Sequence, residues 1–448
     1  MAGDMGAAAL RDLLTKTKDG DWGKDSPAKG LVPYRVIRGT DFPSVRYGDT
    51  SSVPIRYLSD STVDRRTLAA DDILLETAGG SPDRPTGRSL LITQKLLASL
   101  DLPATCASFA RFLRVDRNKA EPQYVYWFLQ YLYASGQMEE HQVQHTGVAR
   151  FQYTKFAESR EIPLPHRDEQ FAIAHILGTL DDKIELNRGM NETLEAMARA
   201  LFKSWFVDFD PVRAKAEGRD PGLPQPLAAL FPARLVDSEL GEIPEGWEVN
   251  RLSDLCSTQY GYTASAVDEP VGPKFLRVTD INKRNWIEWA DVPHCAIGRE
   301  ESASYALKLG DLVVARMADP GKSAIIEEEI NAVFASYLVR LKTASLAHSY
   351  YVYGFLKSDF YSEYAEGARS GSVQANMNAK VIVGASLVVP PVALMERFLR
   401  AILPLRQRLV ANVRESRTLA ALRDTLLPNL ISGELRVKDA EKFIARAT

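Results

Sequence analysis

The chain of 448 residues carries 55 basic and 58 acidic side chains, a formal net charge of −3, and 45% of its residues are hydrophobic. This composition is typical of globular proteins with two to four domains, and the acidic balance argues against a free-standing nucleic-acid binder. The N-terminus lacks a signal-peptide pattern, no segment is apolar enough to cross a bilayer, and the three cysteines are scattered. We therefore expect a cytoplasmic protein with reduced thiols.

The first predicted domain covers residues 1–165 and mixes short strands with one apolar helix. The segment EPQYVYWFLQYLYASG, residues 121–136, predicts the helix. Four strands are predicted before it, each bounded by Gly, Pro or Asp residues, at 34–39, 72–77, 89–93 and 106–115.

A long helix is predicted from Glu169 to Phe206, where no proline occurs and apolar or small residues recur at alternating steps of four and three. This spacing is that of a heptad seam. Residues 166–235 are therefore assigned to this helix and to a connector rich in Pro, Gly and charge. At a rise of 1.5 Å per residue, the helix would be roughly 57 Å long.

The same order of elements returns in residues 236–390, which we assign to a second domain of the same kind. The pairs CASFARFL with FASYLVRL, and YVYWFLQ with YVYGFLK, indicate two homologous copies. The second domain contains 14 basic and 21 acidic residues, a net charge of −7. Residues 391–448 form the second long helix and a tail. Within the second domain, strands are predicted at 275–281, 310–316 and 332–341, and the apolar helix at 348–364.

The two long helices align at a constant offset of 225 residues, so that Asn187 falls on Asn412. Both seams carry polar residues at their middles. If the two helices pair so that these polar layers meet, the register is fixed. The direction, parallel or antiparallel, stays open. The alternative is that each helix packs only on its own domain. Pro404 is expected to kink the second helix, and Arg423 interrupts its seam. The predicted seam consists of Ile173, Leu177, Leu180, Ile184, Asn187, Asn191, Leu194, Leu201, Phe398, Ile402, Leu405, Leu409, Asn412, Leu419 and Leu426.

None of the catalytic motifs sought is present. The segment ADPGKSA contains a GKS triplet, but the Walker spacing requires glycine where Arg316 stands. His141 and His145 lie four residues apart without an evident third ligand, and we interpret them as an exposed helical pair. A glycine-rich dinucleotide fingerprint and the Pro-Pro-aromatic run of amino-methyltransferases are both missing. The sequence therefore predicts no catalysis, metal or cofactor in this chain.

Basic and amide side chains concentrate in a few loops. The loops at 145–155 and 369–380 occupy equivalent places before the two long helices, and they combine Gly, Gln or Asn with Arg or Lys. Such side chains suit base edges and phosphates. The candidate DNA-contacting residues are Arg84, Arg88, Thr146, Arg150, Gln152, Lys155, Lys283, Arg284, Arg316, Lys322, Ser372, Gln374, Asn376 and Lys380.

One long segment resembles a known family. Residues 169–218, EQFAIAHILGTLDDKIELNRGMNETLEAMARALFKSWFVDFDPVRAKAEG, resemble the central region of the specificity subunit of Type I restriction–modification systems. GEIPEGW at 241–247 and LRDTLLPNLISGELRV at 422–437 resemble the entry to its second target-recognition domain and its C-terminal region. The resemblance implies an α+β protein with two homologous α/β target-recognition domains. Two long helices that pair as an antiparallel coiled coil would separate them, with pseudo-twofold symmetry.

The resemblance also implies a function. Each domain would read one half of a split double-stranded DNA sequence, and the helices would fix the gap between the halves. The subunit itself would be non-catalytic and would hold no cofactor. Two modification subunits would bind S-adenosylmethionine and methylate adenine N6, and motor-nuclease subunits would complete the system. Two alternatives stay open: a self-contained methyltransferase or nuclease, and a coiled-coil scaffold that binds proteins only.

Overall fold

The structure is a computed structural model, and it describes residues 6–80, 84–145, 148–370 and 376–440. The chain divides into two compact units. Unit 1 comprises residues 1–189 and 415–448, and unit 2 comprises residues 190–414. The domain boundaries predicted from the sequence, after residues 165, 235 and 390, lie outside the long helices. The two units instead divide each long helix near its middle. A helix has no core of its own, so each half belongs to the domain against which its apolar face packs.

Unit 1 contains short strands and helices ahead of the first long helix. Its strands are Gly6–Ala9, Leu14–Asp19, Leu31–Ile37, Ile55–Ser59, Ile73–Glu76, Ala78–Gly80, Ser89–Leu91, Ala104–Cys106, Ala110–Val115, Gln142–His145, Val148–Phe151 and Glu161–Leu164. Its shorter α-helices are Phe42–Val45, Asp60–Arg66, Gln94–Ser99, Pro122–Ala134 and Tyr153–Ser159, with 3-10 turns at Leu10–Leu13, Gly39–Asp41 and Glu139–His141.

Unit 2 follows a similar plan. Its strands are Leu235–Ser238, Gly241–Pro244, Glu248–Arg251, Cys256–Tyr260, Lys274–Leu276, Leu312–Ala315, Ser323–Ile325, Ala332–Phe334, Leu338–Thr343 and Ser386–Val389. Its shorter helices are Asp210–Ala216, Gln225–Ala228, Leu252–Leu255, Val278–Ile281, Arg299–Tyr305, Leu346–Leu356, Asp359–Ser370 and Ala379–Ile382. The predicted connector is therefore ordered, and its residues Phe209, Val212 and Phe231 are buried in the core of unit 2.

Both units contain the same antiparallel four-stranded sheet. In unit 1 the strand order is Leu14–Asp19, Ala110–Val115, Ile73–Glu76 and Ser89–Leu91, and in unit 2 it is Cys256–Tyr260, Leu338–Thr343, Leu312–Ala315 and Ser323–Ile325. Each third strand is buried at all four positions, as a strand covered on both faces should be. The registers place Leu113 opposite Ile73 and Leu341 opposite Leu312. The duplication predicted from the sequence is therefore present in the sheet topology.

Two smaller pairings also recur. A parallel pair joins Leu31–Ile37 to Ala104–Cys106 in unit 1 and Lys274–Leu276 to Ala332–Phe334 in unit 2. In each unit an Arg-x-x-Asp sequence ends the first of these strands, because the aspartate accepts a 2.8 Å hydrogen bond from the backbone of the arginine and starts a helical turn. Arg277 and Asp280 therefore end the strand that the sequence extended to residue 281.

The two long helices are the central helix, Arg167–Phe206, and the C-terminal helix, Val392–Ser432. Within each unit their halves pack in opposite directions. In unit 1 Asp181 contacts Arg423 and Asn187 contacts Ser416, and in unit 2 Asn191 contacts Asn412 and Glu195 contacts Arg406. The C-terminal helix runs through Pro404 without ending. Of the helices in the described ranges, none is long and apolar enough to span a membrane.

Candidate DNA interface

The loop predicted at 145–155 in unit 1 is a β-hairpin followed by a short helix. Strand Val148–Phe151 pairs with Gln142–His145 on one side and with Ala78–Gly80 on the other. The hairpin therefore extends a small three-stranded sheet, whose pairing with Ala78–Gly80 shifts register between Ala149 and Arg150. Arg150 lies on the central strand, Gln152 precedes the helix, and Lys155 lies within the helix. All three side chains are exposed. Thr146 lies outside the described residues.

The two arginines of the segment at 81–88 have different environments. Arg84 is exposed and forms no ion pair with the described residues. Arg88 lies 2.6 Å from the carboxylate of Glu76 and also donates a 2.7 Å hydrogen bond to the carbonyl of Gly39. The side chains of Arg88 and Glu76 are only 12% and 3% exposed, so the charge of Arg88 is compensated inside the domain. Arg88 holds neighbouring segments of unit 1 together.

In unit 2 the structure brings together two predicted residues, Arg316 and Asn376. The guanidinium Nη2 of Arg316 lies 3.5 Å from Oδ1 of Asn376, and its carbon lies 5.0 Å from the centre of the Tyr260 ring. Tyr260 is in turn anchored, because its hydroxyl accepts a 2.9 Å hydrogen bond from the backbone nitrogen of Ala379. Stacking on an aromatic ring restricts the arginine and leaves its planar edge available for a bidentate contact.

The other candidates in unit 2 are more scattered. Lys322 lies in the turn before strand Ser323–Ile325, and Lys380 lies in helix Ala379–Ile382. Both are exposed. Lys283 is exposed, whereas the neighbouring Arg284 is half-buried and lies 3.8 Å from Glu288. Ser372 and Gln374 lie outside the described residues.

The interpretation of His141 as an exposed helical residue is wrong. Its side chain is buried, with ring centres 6.1 Å from Phe151 and 5.2 Å from Phe156, and His145 lies in the following strand. Burial among these rings lowers the pKa of His141, because the charged imidazolium loses hydration. Periodicity alone could not place this residue, because a 3-10 turn and a strand replace the helix. His141 is therefore a packing residue of the hairpin frame.

The predicted helical seam is largely buried. In unit 1 the central helix contributes Leu177 and Ile184 to the same core as Leu419 and Leu426 of the C-terminal helix. In unit 2 the core contains Phe202 of the central helix with Phe398 and Ile402 of the C-terminal helix. The remaining predicted seam residues Ile173, Leu180, Asn187, Asn191, Leu409 and Asn412 are buried, whereas Leu194, Leu201 and Leu405 are only half-buried.

The polar layers meet as their spacing predicted. In unit 1, Nδ2 of Asn187 lies 3.3 Å from Oγ of Ser416 and 2.9 Å from the carboxylate of Glu415. In unit 2, Nδ2 of Asn412 donates a 2.9 Å hydrogen bond to Oδ1 of Asn191. Asn187 with Ser416, and Asn412 with Asn191, are the same pair at the offset of 225 residues. The equivalence identifies one register, because a shifted helix would place these amides against apolar side chains.

Charged residues form ion pairs beside the seam, and the sequence indicated only Arg423 among them. In unit 2, Arg406 forms ion pairs with Glu195 and with Glu327, which lies 2.5 Å away, and side-chain exposures are 3% for Arg406 and 6% and 10% for the two glutamates. In unit 1, Arg423 forms an ion pair with Asp181, which also accepts a 2.8 Å contact from Arg46. Burial opposes the charge of Arg406, but the carboxylates raise its pKa well above the usual value.

The described residues contain no group of His, Cys, Asp or Glu side chains arranged to hold a metal ion. The three cysteines carry no disulfide, and burial raises the pKa of the Cys106 thiol to about 12, which keeps it protonated. Side chains suited to DNA instead come from both units: the exposed Arg84, Arg150, Gln152 and Lys155 in unit 1, and the exposed Lys322, Asn376 and Lys380 with the half-buried Arg316 in unit 2. Their geometry suits contacts with phosphates and base edges.

Comparison with known proteins supports the same interpretation. Residues 39–196 match the family model described as the Type I restriction modification DNA specificity domain. The chain is 26% identical over 326 residues to the Type I restriction enzyme HindI specificity subunit of Haemophilus influenzae, which covers 62% of this chain and 69% of that protein. It is 28% identical over 324 residues to the MjaIX specificity subunit of Methanocaldococcus jannaschii, with 70% and 69% covered.

A solved structure has the same fold. The Type I restriction–modification S subunit from M. genitalium superposes with a TM-score of 0.55, at 15% sequence identity, over 96% of this chain and 97% of that chain. The family model identifies residues 39–196 as a DNA specificity domain. Over about two thirds of its length, the chain is similar to specificity subunits of Type I restriction–modification systems.

Proposed function

We propose that this chain is the recognition subunit of a Type I methylation complex and reads a bipartite DNA sequence, with one half-site for each unit. The observation that carries the proposal is the repeated domain: the sheet topology is the same in both units, while the exposed candidate residues differ. A common scaffold with different surface side chains suits recognition of two different half-sites, because base edges are read by side chains and not by topology.

The long helices act as the spacer in this proposal. Buried leucines and the two matched polar pairs hold their register, so the gap between the half-sites is a fixed property of the chain. Fixed spacing between two readers is itself a source of specificity, since DNA with the wrong gap can engage only one reader at a time.

Catalysis and the cofactor belong to partner subunits in this proposal. Two modification subunits bind S-adenosylmethionine and methylate adenine N6, and motor-nuclease subunits join them where the system also cleaves DNA. The net charge of −7 over residues 236–390 supports this division of labour. A reader with so few surplus cations needs partner subunits to neutralise part of the phosphate charge.

The test uses the full chain assembled with a modification subunit, S-adenosylmethionine and a random-sequence DNA library. Mapping the methylated adenines should give one bipartite motif with a fixed gap. Arg150→Ala and Gln152→Ala should each relax one half-site, and Arg316→Ala and Asn376→Ala the other, by about 1–3 kcal/mol per lost base contact. Methylation without a bipartite motif would refute the proposal, as would binding of S-adenosylmethionine by the isolated chain with methylation by that chain alone.

A further inference from the structure

Each unit exposes one aromatic ring at the tip of the same turn. In unit 1 the turn joins strands Ala104–Cys106 and Ala110–Val115 and carries Phe109, which is 57% exposed. In unit 2 the turn joins strands Ala332–Phe334 and Leu338–Thr343 and carries Tyr337, which is 52% exposed. Large aromatic side chains are ordinarily buried, so two equivalent exposures call for a common explanation.

The backbone frames of the two turns share five equivalent hydrogen bonds. Each turn closes on itself, from Ala110 N to Ala107 O in unit 1 and from Leu338 N to Ala335 O in unit 2, both at 2.9 Å. The carbonyl of each aromatic residue accepts from the strand beside it, where Thr77 N donates to Phe109 O at 2.8 Å and Arg316 N to Tyr337 O at 2.9 Å. Three further backbone bonds of unit 1 have a counterpart in unit 2. Gly20 N donates to Ala110 O, as Gly261 N does to Leu338 O. Asp21 N donates to Cys106 O and Ala107 N to Ile37 O, as Tyr262 N does to Phe334 O and Ala335 N to Leu276 O.

A glycine braces each turn at a distance that admits no side chain. A Cβ at Gly20 would overlap the carbonyl oxygens of Cys106 and Ala107, and one at Gly261 would overlap those of Phe334 and Ala335. Close approach of backbone to backbone is a reason for glycine at both places. The turns are therefore rigid platforms, and each ring is presented without an ordering cost at the moment of contact.

Candidate recognition residues lie on or next to the strand segments that hydrogen-bond to these turns. Ala78, which pairs with Arg150 of the hairpin, donates its backbone NH to Phe109 O at 3.3 Å. Arg316, which donates to Tyr337 O, is stacked over Tyr260, a second exposed ring. Aromatic rings beside exposed arginines and amides match the chemistry of nucleic-acid contact.

We propose that Phe109 and Tyr337 are aromatic wedges, each of which stacks against the bases of one half-site. The proposal rests on the proposed DNA recognition and adds to it a contact that does not read sequence. Every base offers a π-face, and an aromatic or apolar wedge can unstack a base step without selecting its identity. Such a contact can be retained in both copies of the domain while the neighbouring readers diverge.

The experiment uses the complex of the full chain with the modification subunit and the methylated duplex found by mapping. 2-Aminopurine placed in one half-site at a time reports unstacking as a rise in fluorescence. Phe109→Ala should abolish the rise in one half-site only and Tyr337→Ala in the other only. Each variant should weaken binding roughly 5- to 150-fold, as expected for one lost stacking contact, without altering the methylated motif.

Matched substitutions make the outcome specific. Phe109→Tyr and Tyr337→Phe keep a ring and should behave as the wild type, and so should Phe171→Ala and Phe360→Ala, which remove exposed rings elsewhere. The wedge is refuted if both alanine variants unstack the bases and bind DNA as the wild type does. It is also refuted if the variants broaden the methylated sequence motif, or if their only defect is loss of the modification subunit. A wild-type complex without any bipartite motif would refute the proposed function first.

Discussion

The two units place opposite charges at one equivalent position of their helices. Position 181 of the central helix corresponds to position 406 of the C-terminal helix at the offset of 225. In unit 1 this position is Asp181, which forms ion pairs with Arg46 and Arg423. In unit 2 it is Arg406, which forms ion pairs with Glu195 and Glu327. Both units thus retain a buried ion pair at this position, but with inverted polarity.

This inversion shows which part of the duplicated structure is constrained. Burial of a charge beside the seam requires a compensating charge within reach, but either sign satisfies that requirement. The partners have therefore diverged together within each unit. One consequence is that the helix halves of the two units are not interchangeable, since an exchange would bring like charges together.

The largest expected effect comes from removing the more deeply buried cation. Arg406→Ala leaves Glu195 and Glu327 buried without their counter-ion and should lower the free energy of unfolding by about 3–5 kcal/mol. Asp181→Ala should cost less, because its side chain is 15% exposed against 3% for Arg406. Chemical denaturation of the full chain measures both changes.

Arg213 provides a control in the same unit. It lies 3.6 Å from Glu242, and the side chains of both residues are exposed, by 46% and 58%. An exposed pair contributes about 0–1 kcal/mol, so Arg213→Ala should change stability little. If Arg406→Ala cost no more than Arg213→Ala, the buried pair would not be a principal contact of unit 2.

The seam offers a second comparison of intermediate size. Leu180 is 5% exposed, whereas Leu405, its equivalent in unit 2, is only half-buried. Leu180→Ala should cost about 2–4 kcal/mol, and Leu405→Ala about 1 kcal/mol. Calorimetric melting of the two variants distinguishes them, and equal losses would contradict the different burial of the two positions.

The smallest effect concerns pH and occurs in unit 2. Burial lowers the pKa of Lys357 to about 8, against about 10.4 for an unfolded lysine, although its Nζ lies 3.4 Å from Oδ1 of Asn285. Unfolding therefore takes up a proton between these values, and stability rises with pH there. Lys357→Met should remove this pH dependence, so its stabilising effect relative to the wild type should be smaller at pH 9.5 than at pH 7 by roughly 2 kcal/mol. Equal gains at both pH values would show that Lys357 does not titrate in this way.

The sequence predicted most of the helical part. The heptad seam is repeated at an offset of 225 residues, and this offset matched the polar residues Asn187 and Asn412. In the structure Asn187 contacts Ser416 and Asn412 contacts Asn191, which is the register that matched polar layers require. The polar pattern left the direction open, and the family resemblance supplied the antiparallel arrangement seen within each unit. Repetition of the sheet could also be predicted, because matched segments such as CASFARFL and FASYLVRL follow the same order.

Buried polar partners could not be predicted, because they come from other elements. Arg88 stands in a turn-rich segment typical of a surface loop, yet Glu76, from a fully buried strand, compensates it. The wedge residues were missed for another reason. The sequence predicts continuous strands at 106–115 and 332–341, with Phe109 and Tyr337 inside them, whereas the structure divides each segment at a turn and leaves both rings exposed.

The central claim is that two diverged readers are held at a distance set by the paired helices. The direct test inserts one heptad into each helix where the units meet in sequence, after Gly189 and after Arg414, and maps the methylated sites. Seven residues lengthen a helix by about 10.5 Å, or roughly three base pairs of DNA. The half-site sequences should be unchanged, and the gap between them should be about three base pairs longer. An active complex with an unchanged gap, or with altered half-sites, would show that the paired helices do not set the distance.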